Sequence, residues 1–210
     1  MDPRARGHSE SKLKDQEMKK GVLVVSLEMP ASQIIDRLVA RLGSVSLRSL
    51  AEGVKTDGEL VGMQRALNVL HRSNLIIRDD LYDIQSICSV ARAMSKSSIG
   101  LKVIFVDYIQ LVRCDLGKDS SREREVAEVS RSLRLLGLEL GCLVIGITQL
   151  NEQGKARESR AIQQDATCIM SIEIDGEENR KVNIPFQRNG PCGVSTHLRF
   201  NGRTASFLNA

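Results

Sequence analysis

Apolar residues follow two rhythms along this chain. Short unbroken runs, Val22-Leu-Val-Val-Ser-Leu27 and Val103-Ile-Phe-Val106, have the length of strands buried on both faces. Between them the spacing changes to steps of three and four, the period of a helix. After Pro30, which suits a first helical turn, Ile34, Ile35, Leu38, Val39 and Leu42 share one face of a helix that Gly43 closes. A second helix is predicted over Asp57 to His71 with Leu60, Met63, Leu67 and Leu70 inward. Leu75-Ile-Ile77 is a short strand, and Asp83 caps a helix reaching about Lys96. The clearest stripe is Val126, Val129, Leu133, Leu136 and Leu140, ended by Gly141 and followed by a buried strand, Cys142 to Ile147. Past a charged loop from Asn151 to Arg160 the helical pattern stops. Strands are then predicted at Thr167 to Ile174, Lys181 to Phe186, Val194 to Phe200 and Thr204 to Phe207, with turns at Asp175-Gly176, Asn189-Gly190 and Asn201-Gly202.

Alternating strands and helices predict an α/β domain with a mostly parallel sheet flanked by helices, and a β-rich C-terminal part. That domain is expected over residues 21–210. Residues 1–20 are polar and charged, and read as a leader or the remnant of a helix. The chain has 210 residues, enough for one substantial core. No apolar run reaches the length of a membrane span, and the first twenty residues lack the apolar core of a secretory signal, so cytoplasmic residence is expected. Five scattered cysteines without a C-x-x-C pair favour reduced thiols over zinc or disulfides, with Cys142 and Cys168 expected to be buried. A net charge of +4 tolerates nucleic acid without requiring it. Aromatics are only 3% and tryptophan is absent, so single-strand binding would rest on phosphate contacts rather than base stacking.

Chemistry enters at the strand ends. Val103 to Val106 deliver Asp107, and Val22 to Leu27 deliver Glu28. Parallel sheets present ligands at the carboxyl ends of their strands. An acid there commonly holds Mg²⁺ against a nucleotide phosphate, as the Walker-B aspartate does. Either acid alone would equally suit a capping role. The phosphate-binding loop G-x-x-x-x-G-K-[ST] occurs nowhere in the chain.

Six strings carry a resemblance: Ser26-Leu-Glu-Met-Pro30, Val106-Asp-Tyr-Ile-Gln-Leu111, Glu128-Val-Ser-Arg-Ser-Leu133, Thr148-Gln-Leu-Asn151, Arg157-Glu-Ser159 with Gln164-Asp-Ala166, and Gln187-Arg-Asn-Gly-Pro191. In order and register they resemble the C-terminal domain of DnaB-type replicative DNA helicases, over residues 21–210. The resemblance implies a RecA-like P-loop NTPase core working in a homo-oligomeric ring, a hexamer, with ATP and Mg²⁺ between subunits and single-stranded DNA in the channel. It implies Glu28 as the carboxylate that polarises water, Asp107 as the acid on the magnesium shell, Gln149 as a sensor and Arg188 as a finger toward a neighbour's nucleotide. Arg157, Glu158 and Arg160 resemble a loop that tracks the DNA backbone. The chain departs from the pattern in lacking the phosphate-loop strand, in a short Gln149 to Arg157 connection, in Arg160 where glycine is expected, and in Phe186 where lysine is expected. Loss of a mid-sheet strand predicts two bare edges. Two readings follow: the distal part of a helicase whose phosphate loop lies elsewhere, inactive alone, or a hydrolysis-dead module that binds a helicase ring or DNA.

Overall fold

The structure, a computed structural model, describes residues 21–53, 56–117, 120–149 and 159–209, with the side chains of 159 and 160 left aside. The strands are β1 (Gly21–Ser26), β2 (Leu75–Arg78), β3 (Leu101–Asp107), β4 (Leu143–Gly146), β5 (Cys168–Ile174), β6 (Asn179–Gln187), β7 (Val194–Asn201) and β8 (Ser206–Asn209). The helices are α1 (Ala31–Gly43), α2 (Leu47–Glu52), α3 (Asp57–Arg72), α4 (Ile84–Lys96), α5 (Arg122–Leu140) and α6 (Ser159–Asp165). Two of these, α2 and α6, carry too short a pattern to be read from spacing. The chain divides into two compact units, one built from residues up to 29 and 73–162, the other from 30–72 and 163–210.

The first unit holds a parallel sheet in the order β2-β1-β3-β4. Leu23, Val25, Ile104 and Val106 are sealed from solvent, because β1 and β3 have strands on both sides and α4 packs over them, with α5 packed on β4 beside it. The α5 stripe lies where its period places it: Val126, Val129, Leu133 and Leu136 are buried, and Gly141 caps the helix in the left-handed conformation. Asp83 caps α4 by accepting the Ser86 N–H at 2.8 Å, and the Ser86 hydroxyl together with this N–H holds its carboxyl below the usual range. A bidentate pair, Arg92 to Glu139 at 2.8 Å, ties α4 to α5.

One expectation fails at β4. The apolar run predicts a buried strand, yet Leu143 is 57% exposed and Ile147 is exposed too. Its outer edge pairs with no strand among the described residues, and α5 and Ile109 cover it only in part. Cys142 is accordingly only partly buried, while Cys88 and Cys114 are buried and desolvation pushes both thiols up.

The second unit holds an antiparallel sheet, β5-β6-β7-β8, and the helices α1 to α3. Here β5 is also a sheet edge, and Cys168, expected to be buried, is exposed on it. Helices α1 and α3 meet through glycine rather than leucine. A Cβ on Gly62 would lie 2.2 Å from the Gly43 carbonyl oxygen, and one on Gly43 would lie 2.6 Å from the Gly62 oxygen. The buried residues of α3 are Gly62 and Ala66, and Leu60 and Leu67, expected inward, are exposed. Periodicity finds large apolar side chains, whereas close helix approach selects small ones.

Candidate functional site

The chain is built to bring two acids together. β1 and β3 run parallel with Ser26 opposite Asp107, and the Leu27 N–H donates to the Asp107 carbonyl at 2.8 Å. Glu28 therefore starts one residue past a bond anchored on Asp107. The buried Ser26 hydroxyl donates to the Met29 carbonyl at 2.7 Å, closing the turn that carries Glu28. Glu28 is exposed and Asp107 is half-buried at neighbouring carboxyl ends of one sheet. Sequence reasoning passes over Ser26, although a hydroxyl ending an apolar run is a turn signal.

Behind Asp107 the chain turns sharply. The Asp107–Tyr108 peptide is cis, a single 3-10 turn follows at Ile109–Leu111, and Ile109 N–H donates to Ile147 O at 3.0 Å. Ile147 N–H in turn donates to Val106 O at 2.9 Å. Ile109 packs so tightly on β4 that a Cβ at Gly146 would lie 2.3 Å from its Cδ1. These links fix the segment that leads to Gln149, an exposed residue three positions beyond β4 on the strand next to that of Asp107. Three of the expected site residues, Glu28, Asp107 and Gln149, thus sit at the carboxyl ends of adjacent strands of one sheet.

Arg188 belongs to the second unit, where its Nε donates to the Ala166 carbonyl at 3.1 Å and its Nη2 to the Gln164 carbonyl. It is bonded to its own chain just after β6. Arg157 and Glu158 lie outside the described residues, as does the side chain of Arg160.

Two residues that spacing does not reveal shape the ground beside the acids. Arg122, the first residue of α5, donates to the Gln110 and Val112 carbonyls and pairs with Glu125. It clamps the turn after Asp107 to the start of the helix. The Gln110 side-chain amide is buried and finds no hydrogen-bond partner among the described residues. Leu27, Tyr82, Gln110, Leu111, Arg113 and Arg122 line a depression of about 320 Å³.

A carboxylate pair at strand ends suits a metal held through water. Among the described residues no three His, Cys, Asp or Glu side chains cluster to hold an ion directly. Phosphates are less well served, because the chain has no phosphate-binding loop and two acids repel an anion unless cations offset them. The site fits the metal half of a metal–nucleotide and not the phosphate half. Among the described residues no helix is long and apolar enough to cross a membrane.

Comparison with known proteins matches residues 8–209 to the model of the DnaB-like helicase C terminal domain. The replicative DNA helicase DnaB of Buchnera aphidicola (subsp. Schizaphis graminum) is 36% identical over 211 residues, covering 90% of this chain and 45% of that protein. DnaB of Haemophilus influenzae is 36% identical over 212 residues with the same coverage. The chain thus spans less than half the length of the curated relatives it matches. Among solved structures, a DnaB-like replicative helicase described with its interactions with primase superposes with a TM-score of 0.82 at 24% identity. That likeness covers 93% of this chain and 52% of the other. The fold is the RecA-like one of helicase ATPase domains: a parallel sheet flanked by helices, joined in sequence to an antiparallel sheet.

Proposed function

Because the chain belongs to the family of DnaB-like helicase C-terminal domains, we propose that it forms part of a replicative helicase that couples ATP hydrolysis to DNA unwinding, and that it does so only when phosphate contacts come from outside these 210 residues. The observation that carries this reading is the Leu27–Asp107 link, which sets Glu28 beside Asp107 at the ends of two buried strands. Within such an assembly Asp107 holds Mg²⁺ through water, and Glu28 orients the attacking water and accepts its proton. Gln149 senses the terminal phosphate from the adjacent strand end. Arg188 serves a neighbouring subunit's nucleotide after giving up its two carbonyl partners, and Arg157, Glu158 and Arg160 follow single-stranded DNA. The assembly is a homo-oligomeric ring in the cytoplasm.

The test mixes the purified chain with a helicase subunit that bears a phosphate loop but carries its own Glu-to-Gln and Asp-to-Asn lesions. ATP turnover is expected only in the mixture. Glu28→Gln in this chain should lower that turnover by about 10²-fold or more, and Asp107→Asn should weaken its dependence on Mg²⁺. Turnover that ignores both substitutions would overturn the proposal. Two observations favour a second reading, a hydrolysis-dead module that docks on a helicase ring: Arg188 is satisfied by backbone carbonyls of its own chain, and Phe186 stands where a second cation is expected. Stable co-assembly with no gain in turnover would select it.

A further inference from the structure

The turn after Asp107 is unevenly satisfied. Several of its backbone groups are paired: Leu111 N–H donates to Tyr108 O, Val112 N–H to Ile109 O, and Arg113 N–H to Tyr82 O, while Arg122 donates to the Gln110 and Val112 carbonyls. The Gln110 side chain is left out, with a donor and an acceptor both buried and both idle. Buried side-chain amides are rarely left without a hydrogen-bond partner.

From this geometry we propose that the depression beside Gln110 takes a single unstacked nucleobase, a proposal that rests on the nucleic-acid role above and gives it a base contact. A primary amide places a donor and an acceptor side by side, the complement of a base edge that offers an acceptor next to a donor, adenine foremost. Leu27 and Leu111 supply apolar surface, and Tyr82, 47% exposed, supplies a ring that can lie against a planar heterocycle. Arg113 is exposed on the same rim and suits the attached phosphate. Of the acids close by in the chain, Asp80 pairs with Arg78, Asp83 caps α4 and Glu125 pairs with Arg122, while Glu28 next to Leu27 is exposed, so the phosphate is expected on the Arg113 side of the rim. The space of about 320 Å³ lies at the small end of ligand sites, roughly 300–1,000 Å³. It admits one base and its sugar but no duplex. Because the Gln110 amide atoms are sealed from solvent, the base reaches them only when neighbouring side chains move aside.

The experiment follows the Gln110 side-chain amide pair in ¹H–¹⁵N spectra of the 210-residue chain while deoxyadenosine, an eight-base oligo-deoxyadenylate, an eight-unit abasic strand or ATP is added. Deoxyadenosine and the oligo-deoxyadenylate should both move this resonance, and the oligo-deoxyadenylate should bind about tenfold tighter than the abasic strand. Gln110→Leu should erase that tenfold difference and keep the abasic affinity. Arg113→Ala, a surface change that leaves the fold intact, should weaken both strands alike. A response to ATP as strong as that to oligo-deoxyadenylate supports the base site and assigns it to the nucleotide rather than to DNA. An unmoved Gln110 resonance at millimolar deoxyadenosine overturns the proposal, as does equal affinity for base-bearing and abasic strands. A shift produced only by an acidic tripeptide, N-acetyl-Leu-Asp-Leu amide, also overturns it and makes the depression a peptide site. DNA binding without base preference sinks this inference alone, whereas mixed-ring turnover indifferent to Glu28 and Asp107 sinks the reading beneath it.

Discussion

The parallel and antiparallel sheets of this chain use apolar residues in opposite ways. In the parallel sheet, Leu23, Val25, Ile104 and Val106 are closed off, and the buried cluster around them runs through α4 and α5. In the antiparallel sheet, Met170, Ile172 and Ile174 alternate along β5 on one face and are exposed, Ile174 by 79%. The difference lies in support. β1 and β3 each have two strand partners and a helical cover, and the candidate acids stand at their ends. β5 has one strand partner, β6. Rigid placement of chemistry therefore belongs to the first sheet, and open apolar surface to the second.

The largest expected effect strikes the closed sheet. Ile104→Ala removes a fully buried side chain from β3 and should cost about 3–4 kcal/mol in urea unfolding, enough to abolish a cooperative transition in a domain of marginal stability. A cost under about 1 kcal/mol would mean that β3 is as poorly supported as β5, and the contrast between the sheets would vanish.

Next comes a place in the second unit where two helices pack closely. Gly62→Val drives a side chain into the Gly43 carbonyl and should cost about 2–3 kcal/mol, read as a fall in the urea midpoint. Leu67→Ala on the same helix should cost far less, since that side chain is exposed. The reverse order would restore the leucine stripe that spacing predicts for α3.

That reversal marks how far the sequence carries. The α5 stripe, the Asp83 cap and the acids at the ends of β1 and β3 are all legible, because each is local: a period, a cap residue, a run ending in a charge. The ordered strings also bring out the RecA-like family from residues alone. The α1–α3 contact is illegible because glycine carries no hydrophobic signal. The exposure of Leu143 and Cys168 goes with edges of β4 and β5 that pair with no strand among the described residues, and a run of apolar residues reads alike on a covered and an uncovered strand. Gln110 shows in the sequence only as one letter of a motif, since an idle amide reveals itself once its neighbours are placed.

A smaller effect sharpens the first sheet's electrostatics. The Ser86 hydroxyl and N–H hold the Asp83 carboxyl below its unfolded value, and the Arg92 guanidinium does the same for Glu139. Each lowered carboxyl contributes stability that is complete above the ordinary carboxylate range and is lost as pH falls through the folded value. Urea midpoints should therefore hold steady from pH 7 to about 5 and drop below about pH 4. Asp83→Ala should lower the plateau by about 1 kcal/mol and make the acid drop shallower. An unchanged acid limb in that variant would remove Asp83 from the account.

The smallest effect on stability belongs to the open sheet, and its value lies in what it excludes. Ile172→Ser exchanges an exposed apolar side chain for a polar one on an edge strand. If nothing covers β5 in solution, the urea midpoint should stay within about 0.5 kcal/mol of the parent, because the side chain is equally wet before and after unfolding. Light scattering at high concentration should fall, since an apolar face on an unpaired edge invites association. A loss near 2 kcal/mol would instead show that this face is buried against another chain in the working molecule. The contrast between the sheets would then describe the isolated subunit only, and β5 would belong to an assembly interface just as β3 belongs to the core.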